Sequence, residues 1–252
     1  MNRDAVNPAR SLYYGLMSKM LVFAPEEDRY DMVEEVLDIL IKNPLDTNSQ
    51  EALKEIKEFI KIYGYKALVD EYDDIFHNPE TPIVRTTASF YDEGVESGRK
   101  TLEVKNFLAK TKIRRNEKTF KETEDSVGFL VTFMHDLIEL IVQGEKSYET
   151  LQHCLFTEII NNFFDEFIVS LYEHKKANAY KSLAVVLNSF LEFERLYFDV
   201  TKPVPKKIFT KEYEKCEFIS DEEARRRAEN RAKKAADLLQ QSCSLENTYD
   251  LE

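Results

Sequence analysis

The sequence predicts an all-helical fold, and three observations carry that expectation. Of 252 residues only 6 are Gly and 7 are Pro, with no proline between Pro82 and Pro203, so the turns that a many-stranded sandwich or barrel needs are missing. Apolar residues recur at helical spacing through most of the chain. The 17 Phe and 13 Tyr, in a chain that is 43% hydrophobic, supply side chains large enough to fill a bundle core. The expected architecture is a bundle of about eight to ten helices with short antiparallel connections. It is expected in two halves, residues 1–77 and 93–202, joined by a Pro-containing hinge at 78–92 and followed by a charged extension at 203–252.

Each element has its own signal. A first short helix is expected from about Pro8 to Phe23. A second should open at Pro25, where two acids follow the proline as a helix N-terminus favours, with Met32, Val33, Val36, Leu37 and Leu40 on its apolar face. Asn48 and Glu51 form a capping-box pattern for a third, whose stripe is Leu53, Ile56, Phe59 and Ile60. Gly64 ends it, and a fourth helix runs to Phe76. After the prolines a helical pattern resumes at Thr86, loosened by Gly94 and Gly98. Val127, Leu130, Phe133, Met134, Leu137, Ile138 and Ile141 then cover most of one helix circumference, which places that helix centrally. A long stripe from Leu155 to Leu171 and a last core helix from Ala179 to Phe198 complete the body. In the extension, Ser220 and Glu223 open a helix with a thin alanine stripe and acids ahead of bases.

Charge and cysteine content exclude several classes. A net charge of −12 opposes non-specific nucleic-acid binding, which needs a basic face, and favours a basic partner. Cys154, Cys216 and Cys243 are odd in number and far apart, as suits reduced thiols in a cytoplasm. The first twenty residues lack the apolar centre of a signal peptide, and no apolar run approaches the ~18 residues of a membrane span. No stable membrane insertion is expected.

No Gly-rich phosphate loop, Gly-x-Ser-x-Gly, His-Glu-x-x-His or Cys-x-x-Cys motif is present, and no cofactor or metal signature emerges. His135-Asp136, with Glu139 one turn on, is the one cluster with the look of a metal-dependent phosphohydrolase site. Glu149 and His153 are four apart, so the Glu-x-x-His spacing of di-iron bundles is absent.

The stretch "EYDDIFHNPETPIVRTTASFYDEG", residues 71–94, interrupts the helical pattern with two prolines that withhold backbone donors and push the residues before them toward extended geometry. Glu71, Ile75, Phe76, Pro79, Ser89, Tyr91, Glu93 and Gly94 fall where the TorD/DmsD/NarJ family of redox-enzyme maturation chaperones carries its signature. In that signature a Glu-x-x-x-(Leu/Ile)-Phe helix runs into a Pro-containing loop, then Ser-x-Tyr with an acidic-Gly ending. "DSVGFLVTFM", residues 125–134, is similar to the family's Asp-His…Phe-Met helix, and the stretch from Phe163 to Glu194 to its closing helices. The resemblance covers about residues 10 to 198. Ser126 stands where the family commonly has His, Leu130 where it has an acid, and Phe163 where it has Trp.

The resemblance implies a cytoplasmic, non-enzymatic chaperone. It would bind the twin-arginine signal peptide of a molybdenum-containing oxidoreductase in its apo-form, formate dehydrogenase being one example in the family's range, and assist cofactor insertion before export. A receptor for a basic, then apolar peptide needs carboxylates beside an apolar groove. The expected peptide-binding residues are Glu71, Asp74, Phe76, Tyr91, Asp92, Glu93, Asp125, Ser126, Phe129 and Met134, with Asp73 as a further carboxylate. Glu71 and Tyr91 are equally suited to holding the hinge, and Phe129 and Met134 to the core. Two alternatives are a metal-dependent hydrolase using His135 and Asp136, and a helical scaffold whose partner binds the C-terminal helix.

Overall fold

The computed structural model describes residues 3–23, 30–116 and 120–204. Among these the chain forms nine α-helices and no strand: α1 Arg3–Leu21, α2 Val33–Lys42, α3 Thr47–Phe76, α4 Ala88–Glu93, α5 Arg99–Ala109, α6 Val127–Val142, α7 Tyr148–Glu158, α8 Phe164–Tyr172 and α9 Ala179–Phe198. The all-helical expectation is met. The described residues all fall within one compact unit, Met1–Lys206. The helix expected from Ser220, and the start expected at Pro25, lie outside the described residues.

Local differences from expectation have local causes. Helix α2 begins at Val33, and Met32, placed on its apolar face by spacing, is exposed with a left-handed backbone (φ 66°), while Val33, Leu37 and Leu40 are buried. The capping box of α3 is Asp46 with Ser49, not Asn48 with Glu51. The Asp46 carboxylate accepts from the Ser49 N–H at 2.6 Å, and the Ser49 hydroxyl accepts from the Asp46 N–H at 3.1 Å. The break expected at Gly64 is present as a kink that separates two helical stretches of α3, because its φ of 76° and ψ of 173° leave the helical region where only glycine does so freely. The stripe from Leu155 to Leu171 is broken by a single 3-10 turn, Ile160–Asn162, between α7 and α8.

Packing follows the stripes. All seven expected apolar positions of α6 are buried, and α1 lies along α6 as α3 lies along α9, so segments from either side of the prolines share one core. Close approach is built into the α1–α6 contact: a Cβ on Gly128 would lie 2.7 Å from the Leu21 carbonyl oxygen. A buried polar node ties α1, α7 and α9 together. Arg10 makes a bidentate pair with Glu194 (2.6 and 2.7 Å), donates to Asn7 and Gln152, and lies 3.8 Å over the Tyr197 ring, while the Tyr14 hydroxyl donates to Glu194. Among the described residues no helix is long and apolar enough to cross a membrane.

Two buried carboxylates fix the Pro-containing segment. Near the end of α3, Glu71 accepts from the backbone N–H groups of Asn178 (2.6 Å), Tyr180 (2.8 Å) and Ala179 (3.2 Å), capping α9 from more than a hundred residues away. No side chain local to the start of α9 caps it. Asp125 does the same for α4, accepting from the Ser89 N–H at 3.0 Å. Around it, residues 86–88 run antiparallel to 125–127 through Ala88 N–H to Asp125 O and Val127 N–H to Thr86 O. Burial pushes the Glu71 carboxyl above its usual range, although its three N–H donors pull the other way.

A carboxyl whose folded pKa is raised holds its proton more tightly folded than unfolded, so its contribution to stability falls as pH rises from the unfolded value toward the folded one. Glu71→Gln, which leaves one acceptor oxygen for three donors, should lower stability at pH 7 by about 2 kcal/mol. In urea unfolding the advantage of the wild type over this variant should widen as pH falls from 7 toward the unfolded value; a gap that narrows would refute the assignment.

Candidate functional site

The loop that follows α3 reaches α4 by an extended run, residues 82–86, and together they lie against α8 and the turn before it. Tyr91 of α4 is the partition between two depressions. Its hydroxyl donates to the Arg85 carbonyl at 2.9 Å, and its ring lies 5.5 Å from that of Phe163 and 5.8 Å from that of Phe90. Burial pushes the hydroxyl well above the usual phenol range, so it stays a donor.

On one side of Tyr91 a cleft is lined by Asp92, Phe163, Ile159, Asp165, Glu166 and the chain from Lys202 to Val204. Its carboxylates already hold cations. Arg99 lies 3.1 Å from Asp92, 3.5 Å from Glu93 and 3.4 Å from Glu103, with its own side chain exposed. Asp165 pairs with Arg195 at 2.6 Å and Lys202 at 2.8 Å. Burial raises Asp165, but these two cations more than offset it and hold the carboxyl below its usual range. Glu166 is exposed at the rim. On the other side of Tyr91 a groove runs between Pro82, Ile83, Val84 and Arg85 and the end of α8, with Phe90, Glu173, His174 and Lys175.

The structure distributes the sequence-derived residues unevenly. Tyr91 and Asp92, both half-buried, and the exposed Glu93 come together on α4. Asp74 is half-buried beside the loop, accepting from the Asn78 amide at 2.8 Å with Lys176 at 3.9 Å. Asp73 is exposed and pairs with His77. Glu71, Asp125 and Ser126 are buried and serve as helix caps, Ser126 accepting from the Phe129 N–H at 3.2 Å. Phe76 is buried against the Tyr72 and Tyr180 rings, Phe129 against Phe120 and Phe133, and Met134 is wholly enclosed. Sequence reasoning did not single out Arg99, Asp165, Glu166 and His174.

The His135 cluster is bound up in local contacts. Its Nδ1 lies 3.0 Å from the Ser11 carbonyl and 3.1 Å from the Ser11 hydroxyl, which donates to Glu139. Burial raises the Asp136 carboxyl, with Glu139 adding to the effect and His135 opposing it. Among the described residues no group of three or more His, Cys, Asp or Glu is placed to hold a metal ion.

Residues 42–169, half of the chain, match the family model described as nitrate reductase delta subunit. The chain belongs to that family. Its members are non-catalytic redox-enzyme maturation chaperones of the NarJ type, which removes the hydrolase alternative, and membership implies a molybdoenzyme as partner. Among solved structures the chain is similar to a crystal structure from Archaeoglobus fulgidus described as a candidate redox enzyme maturation protein. The two are 18% identical over 72% of this chain and 93% of the other, with a TM-score of 0.49. No curated protein matches the chain.

Tyr91→Phe keeps the ring contacts and removes the hydroxyl that fastens Arg85. It should cost about 1 kcal/mol and speed hydrogen exchange at the Val84 amide, which bonds to the Ile75 carbonyl; exchange unchanged at Val84 would show that the hydroxyl does not hold the loop.

Proposed function

We propose that the protein is a cytoplasmic chaperone that binds the twin-arginine signal peptide of an apo-molybdoenzyme, a formate dehydrogenase being one candidate, and keeps it from export while cofactor is inserted. The peptide's arginines are taken by Asp92 and Glu93, and the apolar stretch beside them packs along Tyr91 and Phe163. One observation carries this reading: Asp92 lines an aromatic cleft, and Asp92 and its neighbour Glu93 already hold a guanidinium, that of Arg99, at 3.1 and 3.5 Å. A fork of N–H donors suits paired carboxylates in a way an ammonium does not. The net charge of −12 adds attraction to a basic leader.

The buried members of the expected set act behind this surface. Glu71 and Asp125 fix where the loop and α4 lie, while Met134 and Phe129 fill the core below them.

Calorimetric titration of the full chain with a synthetic leader bearing paired arginines should give a Kd of about 1 μM or tighter. Replacing both arginines by lysines should weaken it about tenfold, and raising salt from 50 to 300 mM should weaken it further. Asp92→Asn with Glu93→Gln should abolish the preference for arginine; binding that ignores both the double variant and the lysine exchange would refute the assignment. Arg99→Ala should strengthen binding, since a guanidinium that competes for Asp92 and Glu93 is then removed.

A further inference from the structure

We propose that the groove between residues 82–86 and the C-terminal end of α8 takes an extended, uncharged apolar peptide segment, held by backbone pairing along Ile83 and Arg85 and by a hydrogen bond from His174 Nε2. This rests on the peptide-binding reading above and adds a second subsite across Tyr91 from the arginine-binding carboxylates.

Three observations define the occupant. The first is an unused buried donor. His174 is 8% exposed, and its Nδ1 accepts from the Lys176 N–H at 3.3 Å, which leaves the proton of the neutral ring on Nε2. Burial holds the ring below its usual pKa, so the neutral form prevails at pH 7. Among the described residues Nε2 has no partner at hydrogen-bond geometry; the Pro82 carbonyl is near enough to favour the protonated ring, which burial outweighs. A buried N–H of this kind calls for an acceptor.

The second is an open backbone edge. In an extended run the N–H and C=O of alternate residues point to opposite sides. Val84 N–H bonds to Ile75 and Thr86 O accepts from Val127, so both turn toward the body. Ile83 and Arg85 therefore turn outward, and Arg85 O meets the Tyr91 hydroxyl on the groove side. Neither N–H of this pair has an acceptor among the described residues. Such an edge pairs with an added strand.

The third is the character of the walls. Pro82, Ile83, Val84, Phe90 and Tyr91 are apolar, and the charges Arg85, Glu173 and Lys175 are of mixed sign. That combination fits neither a bare anion nor a cationic segment. It fits a chain whose carbonyls accept hydrogen bonds and whose side chains carry no charge.

The probe is acetyl-Val-Thr-Val-Thr-Val-amide, titrated into the full chain at pH 7 while the His174 Nε2–H resonance is followed by long-range proton–nitrogen correlation. Binding with a shift of that resonance is expected. The same probe with its backbone nitrogens methylated keeps its carbonyl acceptors but loses its donors and crowds the Ile83–Arg85 edge with methyl groups, so it should bind at least tenfold more weakly. His174→Phe should weaken the unmodified probe about fivefold. Equal binding of the methylated probe, or an Nε2–H that does not respond at saturation, overturns the proposal. The outcomes separate the two readings. Arginine-dependent leader binding with no binding of the neutral probe defeats this subsite alone. Binding of the neutral probe without any arginine preference defeats the carboxylate assignment and leaves the groove.

Discussion

A buried helix start must find acceptors for its first N–H groups, and in this chain α9 finds them in the carboxylate of Glu71. That one constraint joins the end of α3, just ahead of the prolines, to the helix that closes the core. With α3 held there, Pro79 and Pro82 set the chain off in an extended direction. Asp125 catches the far end by capping α4. Loop, α4 and Tyr91 thus sit on a rigid base, although the loop is made of residues that taken alone would specify no single conformation.

The same economy explains why acidic residues of the 71–94 stretch divide into two kinds. Glu71 and, across the bridge, Asp125 lie where water is excluded and are occupied by backbone donors. Asp92, whose side chain is 9% exposed, and Glu93 beside it at the surface pair with a side chain, Arg99, that is itself exposed. The exposed Arg99–Glu93 contact contributes little to stability, and a client guanidinium in place of Arg99 would leave Asp92 paired. Exchanging Arg99 for a client guanidinium therefore costs the fold little, whereas any ligand reaching for Glu71 would have to uncap α9.

Legibility in the sequence followed the range of the interactions. The seven buried positions of α6 and the span of α9 are periodic, and periodicity is local, so both were readable. The site was readable only as a segment. That Tyr91 and Asp92 face a cleft depends on Phe163 and Asp165, over seventy residues away, and that Glu71 is a cap depends on residues 178–180. Met134 and Phe129 matched a motif yet lie in the core, because a helix buried on most sides has no face left for a ligand. His174 sits in a short connection with no pattern of its own, and its importance arises from the loop folded over it. The break at Gly64 was readable from the glycine itself, whereas the one at Ile160–Asn162 was not, because the apolar stripe runs through it unchanged.

Hydrogen–deuterium exchange of the full chain, with and without a saturating paired-arginine leader peptide, tests the central claim most directly. Slowed exchange is expected in two stretches only, residues 82–93 and the segment from Ile159 to Lys176, which line the two depressions on either side of Tyr91. Protection confined to residues 207–252, with the Tyr91 surface exchanging as in the free protein, would contradict it.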